Sequence, residues 1–337
     1  MNALAQPMMQ SQTMQAILQT TYGAADMLQL GTRARPAAGK GEVLIRVSAA
    51  GMDRGTWHLM AGQPYVMRLV LGFLGPKNPV PGLDVAGTVV ELGAGVTRFK
   101  LGDEVFGISK GSFADYARAR EDKLARKPSN FSLAQAAVTG VSGLAALQAL
   151  RDAGRVKAGQ RVLIIGASGG VGSYAVQLAK AFGAEVTGVC GPAKLDFVRS
   201  LGASRVIDYT TEDFASGPER FDLILDIAGN SPLARLRKVL TATGTIVLVG
   251  GEGGGALTGG MDRQLGAMFR SLFSKQRFVM KPPNENAADL EVLRELAEAG
   301  KFSPAIDSTW TLAQVPDAMR HMLAGKVAGK IAISLAP

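Results

Sequence analysis

The residues with the clearest chemical purpose stand six in a row, Ala167-Ser168-Gly169-Gly170-Val171-Gly172. They follow an apolar run at 161–165 with the composition of a strand, and they open a helical run at 172–182. A glycine turn in that context binds a dinucleotide. Gly169 lets the backbone approach the pyrophosphate, and Gly172 lets the helix pack closely on the strand. The free N–H groups and dipole at the helix start then face the phosphates, so Ser168, Gly169, Gly170, Val171 and Gly172 are expected to hold the cofactor. The usual first glycine of the fingerprint is replaced by Ala167.

The end of the next strand reports on the ribose. About 20 residues past the turn, an NAD site places Asp or Glu for the 2′-hydroxyl. This chain reads Val189-Cys190-Gly191-Pro192-Ala193-Lys194 there, with no carboxylate. Lys194 can meet a 2′-phosphate as a point charge, or it can be a solvated surface lysine. The missing acid favours NADPH over NADH. Tyr209, at the end of the third strand, is open to two readings: a neighbour of the phosphate or adenine, or an ordinary half-buried tyrosine.

Other chemistries find few residues. With one cysteine, Cys190, and two histidines, His58 and His321, a zinc site has almost nothing to be built from, and no metal is expected. The formal charge of +9 would suit an anionic partner, yet no run of five like charges exists and no basic stretch is interleaved with aromatics. No dedicated nucleic-acid site is therefore expected. The most apolar stretch, 66–75, is too short to span a bilayer and is interrupted by Arg68, so no membrane partner is expected either. Residues 1–13 carry no charge and read as a disordered extension; a cytoplasmic location follows by default.

The elements that must position these residues fall into two patterns. Short runs rich in β-branched and apolar residues at 14–19, 42–49 and 86–92, punctuated by Gly, Pro and Asp, predict a partly open barrel. From Ser132, which can cap a helix over 134–138, the pattern turns helical, with a second helix at 143–153. Strands at 161–165, 185–190, 205–208, 221–227 and 244–249 then alternate with helices at 172–182, 194–201 and 233–240. That alternation predicts a doubly wound parallel sheet, so the fold class is α/β, a β-barrel domain plus a Rossmann domain. The carboxyl ends of the later strands bring Ala228, Gly250 and Gly251 to the edge where ligands bind, and Gly250 and Gly251 can let a nicotinamide lie on bare backbone. A strand at 277–280 can pair edge to edge with a second copy, making a homodimer, or can be covered. Two helices and a final strand at 330–335 complete the chain; Lys330, in that strand, can sit near the cofactor or at the surface.

Several motifs resemble the zinc-independent branch of the medium-chain dehydrogenase/reductase superfamily, the quinone oxidoreductase-like proteins. They are Pro81-Gly82-Leu83-Asp84-Val85-Ala86-Gly87, Val96-Thr97-Arg98-Phe99-Lys100-Leu101-Gly102-Asp103-Glu104-Val105, Gly111-Ser112-Phe113-Ala114-Asp115-Tyr116, the glycine turn, and Gly202-Ala203-Ser204-Arg205-Val206-Ile207-Asp208-Tyr209, in that order. The resemblance implies a GroES-like catalytic domain over 14–135, a Rossmann NADP-binding domain over 136–283 and a return to the catalytic domain over 284–337, with the active site between them. Relatives that use zinc carry Cys and Gly-His-Glu where this chain has Asp53 and Gly82-Leu83-Asp84. Leu83 cannot ligate a metal, and Asp84 reads as a structural acceptor of backbone hydrogen bonds.

What the resemblance implies for catalysis is hydride transfer from NADPH to an acceptor that needs no Lewis acid, a quinone or an α,β-unsaturated carbonyl. Asp53, commonly Asn in relatives, His58, where many quinone reductases have a tyrosine, and Tyr65, where enoyl thioester reductases carry a proton donor, are the expected catalytic positions. Trp57 beside His58 is open to a structural reading. Ala145 replaces a family threonine near the nicotinamide, and Ser142 can substitute for it. The segment 251–274, with Met261, Met268, Phe269, Leu272 and Phe273, would cover the acceptor. Three alternatives stay open here: an enoyl thioester reductase, an NAD(P)-dependent alcohol dehydrogenase, and a non-catalytic NADPH-binding protein with an RNA-binding or structural role.

Overall fold

The structure, a computed structural model, describes residues 13–250, 255, 275–280, 282 and 284–335. In the first part, alternating apolar residues make antiparallel strands. β1 (Thr13–Leu18) and β2 (Gln29–Ala34) form a separate ribbon. β3 (Glu42–Met52), β4 (Asp84–Leu92), β5 (Glu104–Ile108), β6 (Tyr116–Arg120) and β7 (Leu124–Arg126) form a barrel-like sheet. Its core gathers Val43, Ile45, Val85 and Val105 from the strands, Phe113 from the loop before β6, and Met60 from the helix between β3 and β4, α1 (Arg54–Ala61). A single turn, α2 (Arg68–Leu71), follows α1. β3 runs three residues past the predicted end and β4 starts two residues early, and both extensions bear on the site below.

The helical change near Ser132 occurs where the sequence placed it. Ser132 Oγ accepts from Gln135 N and the Gln135 side chain accepts from Ser132 N, a reciprocal cap on α3 (Leu133–Ala137). The predicted second helix is α4 (Gly140–Gln148), which loosens into a π-turn at Ala149–Gly154. The parallel sheet has the order β10 (Arg205–Asp208), β9 (Glu185–Cys190), β8 (Arg161–Ile165), β11 (Phe221–Asp226), β12 (Leu240–Leu248), β13 (Arg277–Met280). Its central strands β8, β9 and β11 are mostly buried because α5 (Gly170–Ala181), α6 (Leu195–Ser200), α7 (Leu233–Lys238) and the α4 region cover the sheet. The chain leaves β8 for β9 on one side and reaches β11 on the other, so the carboxyl end of β8 is the switch point where such sheets bind ligands.

After α8 (Ala287–Glu298), the chain returns to the barrel. β14 (Ile306–Thr311) and β15 (Lys330–Ser334), joined through α9 (Val315–Leu323), complete the first sheet, with β15 antiparallel to β3 and Ile331 opposite Met52. β14 was not predicted. It is an edge strand whose residues are at most half-buried, and four of its six are Asp, Ser or Thr, so it lacks the apolar alternation that marks a strand. Residues 1–12 of the expected extension, Gly251, and the methionines and phenylalanines of the expected acceptor cover lie outside the described residues. Among the described residues, no helix is long and apolar enough to cross a membrane.

Candidate active site

The glycine turn sits at the carboxyl end of β8, and each glycine has a steric reason. Gly166 takes φ +88°, a conformation L side chains rarely adopt, and makes the tight turn that the sequence reading sought one residue later at Ala167. The first glycine of the fingerprint thus stands one residue earlier, while Gly169 and Gly172 keep their places. A Cβ on Gly172 would lie 2.1 Å from Gly166 O, so α5 packs on the turn only because Gly172 has no side chain. A Cβ on Gly169 would meet only Gly166 O, at 3.6 Å, leaving open space over the start of α5. The cradle is thus shaped for an anion at a twelve-residue helix N-terminus.

The barrel closes on this turn from below. Gly329 N donates to Ser168 O at 2.9 Å, which straps the start of β15 to the glycine turn. A Cβ on Gly170 would meet Lys330 Cδ at 3.1 Å and Ser142 Oγ at 3.3 Å, so Lys330 lies directly against the start of α5. Lys330 is buried, which removes the surface reading. Its ammonium donates to Asp84 Oδ2 at 3.1 Å and to Ser142 Oγ at 3.0 Å, and lies 3.7 Å from Asp53 Oδ2.

Strand register brings these charges together. Ile331 pairs with Met52, so Lys330 and Asp53 are the next residues at the same sheet end, and Asp84 begins β4 on the other side of β3. A Cβ on Gly51 would lie 2.9 Å from Asp84 Oδ2 and 2.6 Å from Ala137 O, so glycine is needed for the carboxylate to fit. Asp84 Oδ1 accepts from Val141 N at 2.6 Å, at the N-terminus of α4, in the backbone-accepting role read from sequence. Burial pushes the Asp84 carboxyl up to about 7, against the opposing pull of Lys330 and with the help of the Asp53 charge. Ser142 Oγ accepts from Lys330 and keeps its own O–H as a donor. Asp53 is 8% exposed; its Oδ1 caps α1 by accepting from Thr56 N at 2.8 Å, while Oδ2 has no hydrogen-bond partner.

The remaining expected residues take different places. Lys194 Nζ donates to Gly325 O at 2.8 Å and Val327 O at 2.7 Å, which ties the end of β9 to the loop before β15, and burial lowers its pKa. An ammonium has three donors, so one remains beyond these two bonds. Tyr209 is exposed beside Gly191, where a Cβ would stand 3.4 Å from the Tyr209 hydroxyl. Ala228 N donates to Ile165 O at the sheet edge. Gly250 stands against Ile227, where a Cβ would be 1.9 Å from the Ile227 carbonyl oxygen, so bare backbone is obligatory. His58 is half-buried in α1, its Nδ1 2.9 Å from Gln63 O and its ring edge-on to Trp57 at 4.7 Å. Tyr65 is exposed, with the Arg68 guanidinium 4.6 Å from its ring centroid. The structure therefore groups Asp53 with Lys330, Ser142 and the glycine turn, and leaves Tyr65 on the outer surface.

Comparison with known proteins agrees with this two-part architecture. Residues 39–129 match the alcohol dehydrogenase GroES-like domain, and residues 201–333 match the family described as zinc-binding dehydrogenase. A chloroplastic quinone-oxidoreductase homolog of Spinacia oleracea is 34% identical over 96% of this chain and 99% of its own length. The chain belongs to the quinone oxidoreductase-like medium-chain dehydrogenases/reductases. A chloroplastic NADPH-dependent alkenal/one oxidoreductase of Arabidopsis thaliana is 33% identical over 95% of this chain and 79% of its own length. The quinone oxidoreductase of Coxiella burnetii superposes with a TM-score of 0.81 at 28% identity, covering 96% of this chain and all of the other. This member of the family is an oxidoreductase of the NAD(P)-binding type with a GroES-like and a Rossmann-like part. The two plant relatives are named as chloroplastic, so they lend no support to the cytoplasmic expectation.

One family description names zinc, and the donor set does not suit it. Asp84 is committed to Val141 N and Lys330, Leu83 offers no donor, and Asp53 stands beside an ammonium that would repel a cation. Among the described residues, no group of three His, Cys, Asp or Glu could hold a metal.

Proposed function

We propose that this reductase transfers hydride from NADPH to a quinone or an α,β-unsaturated carbonyl compound in the cleft between the barrel and the parallel sheet. The observation that carries the reading is Lys330, a buried ammonium at 3.0–3.1 Å from Ser142 and Asp84 and packed against the start of the glycine-turn helix. A cation held there meets a pyrophosphate from the barrel side while the free N–H groups of α5 meet it from the other, so cofactor binding draws on both domains. When bound, the dinucleotide supplies the hydride; the chain supplies position and charge.

The roles follow from place. Lys194 keeps one N–H donor for a 2′-phosphate, and no carboxylate ends β9 to claim a ribose hydroxyl, which supports NADPH. Gly250 and Ala228 offer backbone at the carboxyl edge beside the nicotinamide. Asp53 Oδ2, buried and without a hydrogen-bond partner, is the acceptor available for a carboxamide N–H. Quinone reduction draws its protons from water, so His58 and Tyr65 are not required as acids. The acceptors that the relatives are named for, quinones and alkenals or alkenones, are classes that take a hydride without a Lewis acid.

The test is oxidation of NADPH and of NADH against a benzoquinone, an enal, an enoyl thioester and an aldehyde, with and without chelator. Chelator-insensitive turnover of quinone or enal with NADPH preferred is expected. In Lys194→Met the preference for NADPH falls about tenfold or more, the worth of one charge-assisted hydrogen bond, while the KM for NADH stays unchanged. NADH preference in the wild type, or activity abolished by chelator, would overturn the reading.

A further inference from the structure

The apolar stretch 66–75, too short to span a bilayer, is presented to solvent rather than buried. Of the thirteen exposed large hydrophobic residues among those described, seven fall within 65–74. Leu69 and Phe73 are each 75% exposed and Leu74 is 87% exposed. Single exposed apolar side chains are ordinary, but this cluster is of the order of the few-hundred-Å² patches that mark interaction sites.

The exposure belongs to a braced platform. Tyr22 OH donates to Gly72 O at 2.8 Å, and Arg68 Nε donates to Gly62 O at 2.9 Å. The Arg68 guanidinium lies 4.6 Å from the ring centroids of both Tyr22 and Tyr65. Gly75 lies so close to the segment before Tyr22 that a Cβ there would be 2.4 Å from Thr20 O. The backbone is thus held from beneath while Leu69, Phe73 and Leu74 project outward.

Charge decides what covers this face. From residue 65 to residue 83 the sequence has no Asp or Glu, but it has Arg68 and Lys77. A symmetric pairing of two copies through the patch would set these cations against their own kind with no carboxylate in the segment to answer them. A bilayer carrying anionic phospholipid answers both features, accepting Leu69, Phe73 and Leu74 at the headgroup boundary and Lys77 at the phosphates. The chain as a whole carries +9, which adds attraction at longer range.

We infer that residues 65–74 dock this protein on the surface of an anionic bilayer as a peripheral, non-spanning contact. This reverses the expectation of no membrane partner. The patch follows α1 directly, whose N-cap is Asp53, so docking sets the cleft close to a phase in which apolar acceptors dissolve. The docking is read without turnover, so its failure and that of the reductase reading are distinguishable.

The full chain is sedimented with vesicles of phosphatidylcholine containing phosphatidylglycerol and, separately, of phosphatidylcholine alone. Binding to the mixed vesicles is expected, with release at high salt. The double substitution Phe73→Asp with Leu74→Asp lowers the bound fraction by at least about tenfold. Lys77→Gln weakens binding about fivefold, and Leu101→Asp, an exposed apolar residue elsewhere, leaves it unchanged. Unchanged unfolding temperatures show that the variants fold. No binding, equal binding to both vesicles, or a wild-type dimer that the double substitution splits in light scattering would overturn the proposal.

Discussion

The two ends of α1 break the ordinary rule of burial in opposite directions. At its N-terminus, Asp53, Asp84 and Lys330 are charged and buried; just past its C-terminus, Leu69, Phe73 and Leu74 are apolar and exposed. The buried charges persist because four separate segments supply partners: the end of β3, the start of β4, the start of α4 and the start of β15. The exposed apolar residues persist because their backbone is held by Tyr22 and Arg68, whatever their side chains touch. The first departure is coupled to the fold; the second is almost independent of it. Cofactor binding can use the former, since a charge locked in place is preorganised, and a surface contact can use the latter.

The sharpest test of that difference is Lys330→Met. Removing the cation strands two buried carboxylates and should cost about 3–5 kcal/mol at alkaline pH, less in acid where Asp84 is protonated. Urea unfolding at two pH values measures it; a cost below about 1 kcal/mol at alkaline pH would mean the seam is not coupled to the fold. NADPH affinity should fall in the same variant.

Asp84→Asn gives the next effect, through pH. The folded pKa of Asp84 is raised to about 7, so protonation favours the native state. Its contribution is full below the ordinary carboxylate range and is lost as pH rises to about 7. The wild type should therefore lose on the order of 5 °C of unfolding temperature across that window relative to Asp84→Asn, whose curve is flatter. Parallel curves would show that Asp84 does not titrate there. At the other end of α1, Leu74→Ser should change stability by less than about 0.5 kcal/mol, since its side chain is almost fully exposed. A larger loss would show that the platform supports the fold after all.

Much of the parallel sheet was legible in the sequence because its strands are short, apolar and bounded by glycine, and β8, β9, β10 and β13 have the predicted ends. β14 was not, because an edge strand half open to water needs no apolar alternation. The glycine turn was recognised, yet Gly166 was passed over because only its φ of +88° reveals the tight turn. Lys330 was singled out without a decision between cleft and surface, since nothing near it in sequence speaks of burial. Ser142 was offered only as a substitute for the family threonine, and its bond to Lys330, a partner 188 residues away, had no signal in the local sequence.

The sequence by itself determined the two-part architecture, the glycine turn between β8 and α5, the absence of an acid after β9 and the poverty of metal donors. These depend on local spacing and residue type, which a linear chain displays in full. Tertiary structure alone decided that Asp53, Asp84, Lys330 and Ser142 meet, that Lys194 spends two of its donors on the loop before β15, and that the apolar stretch after α1 faces water. Those facts rest on strand register and on contacts between segments far apart in the chain, where a shift of one residue would turn the same side chains to the opposite face.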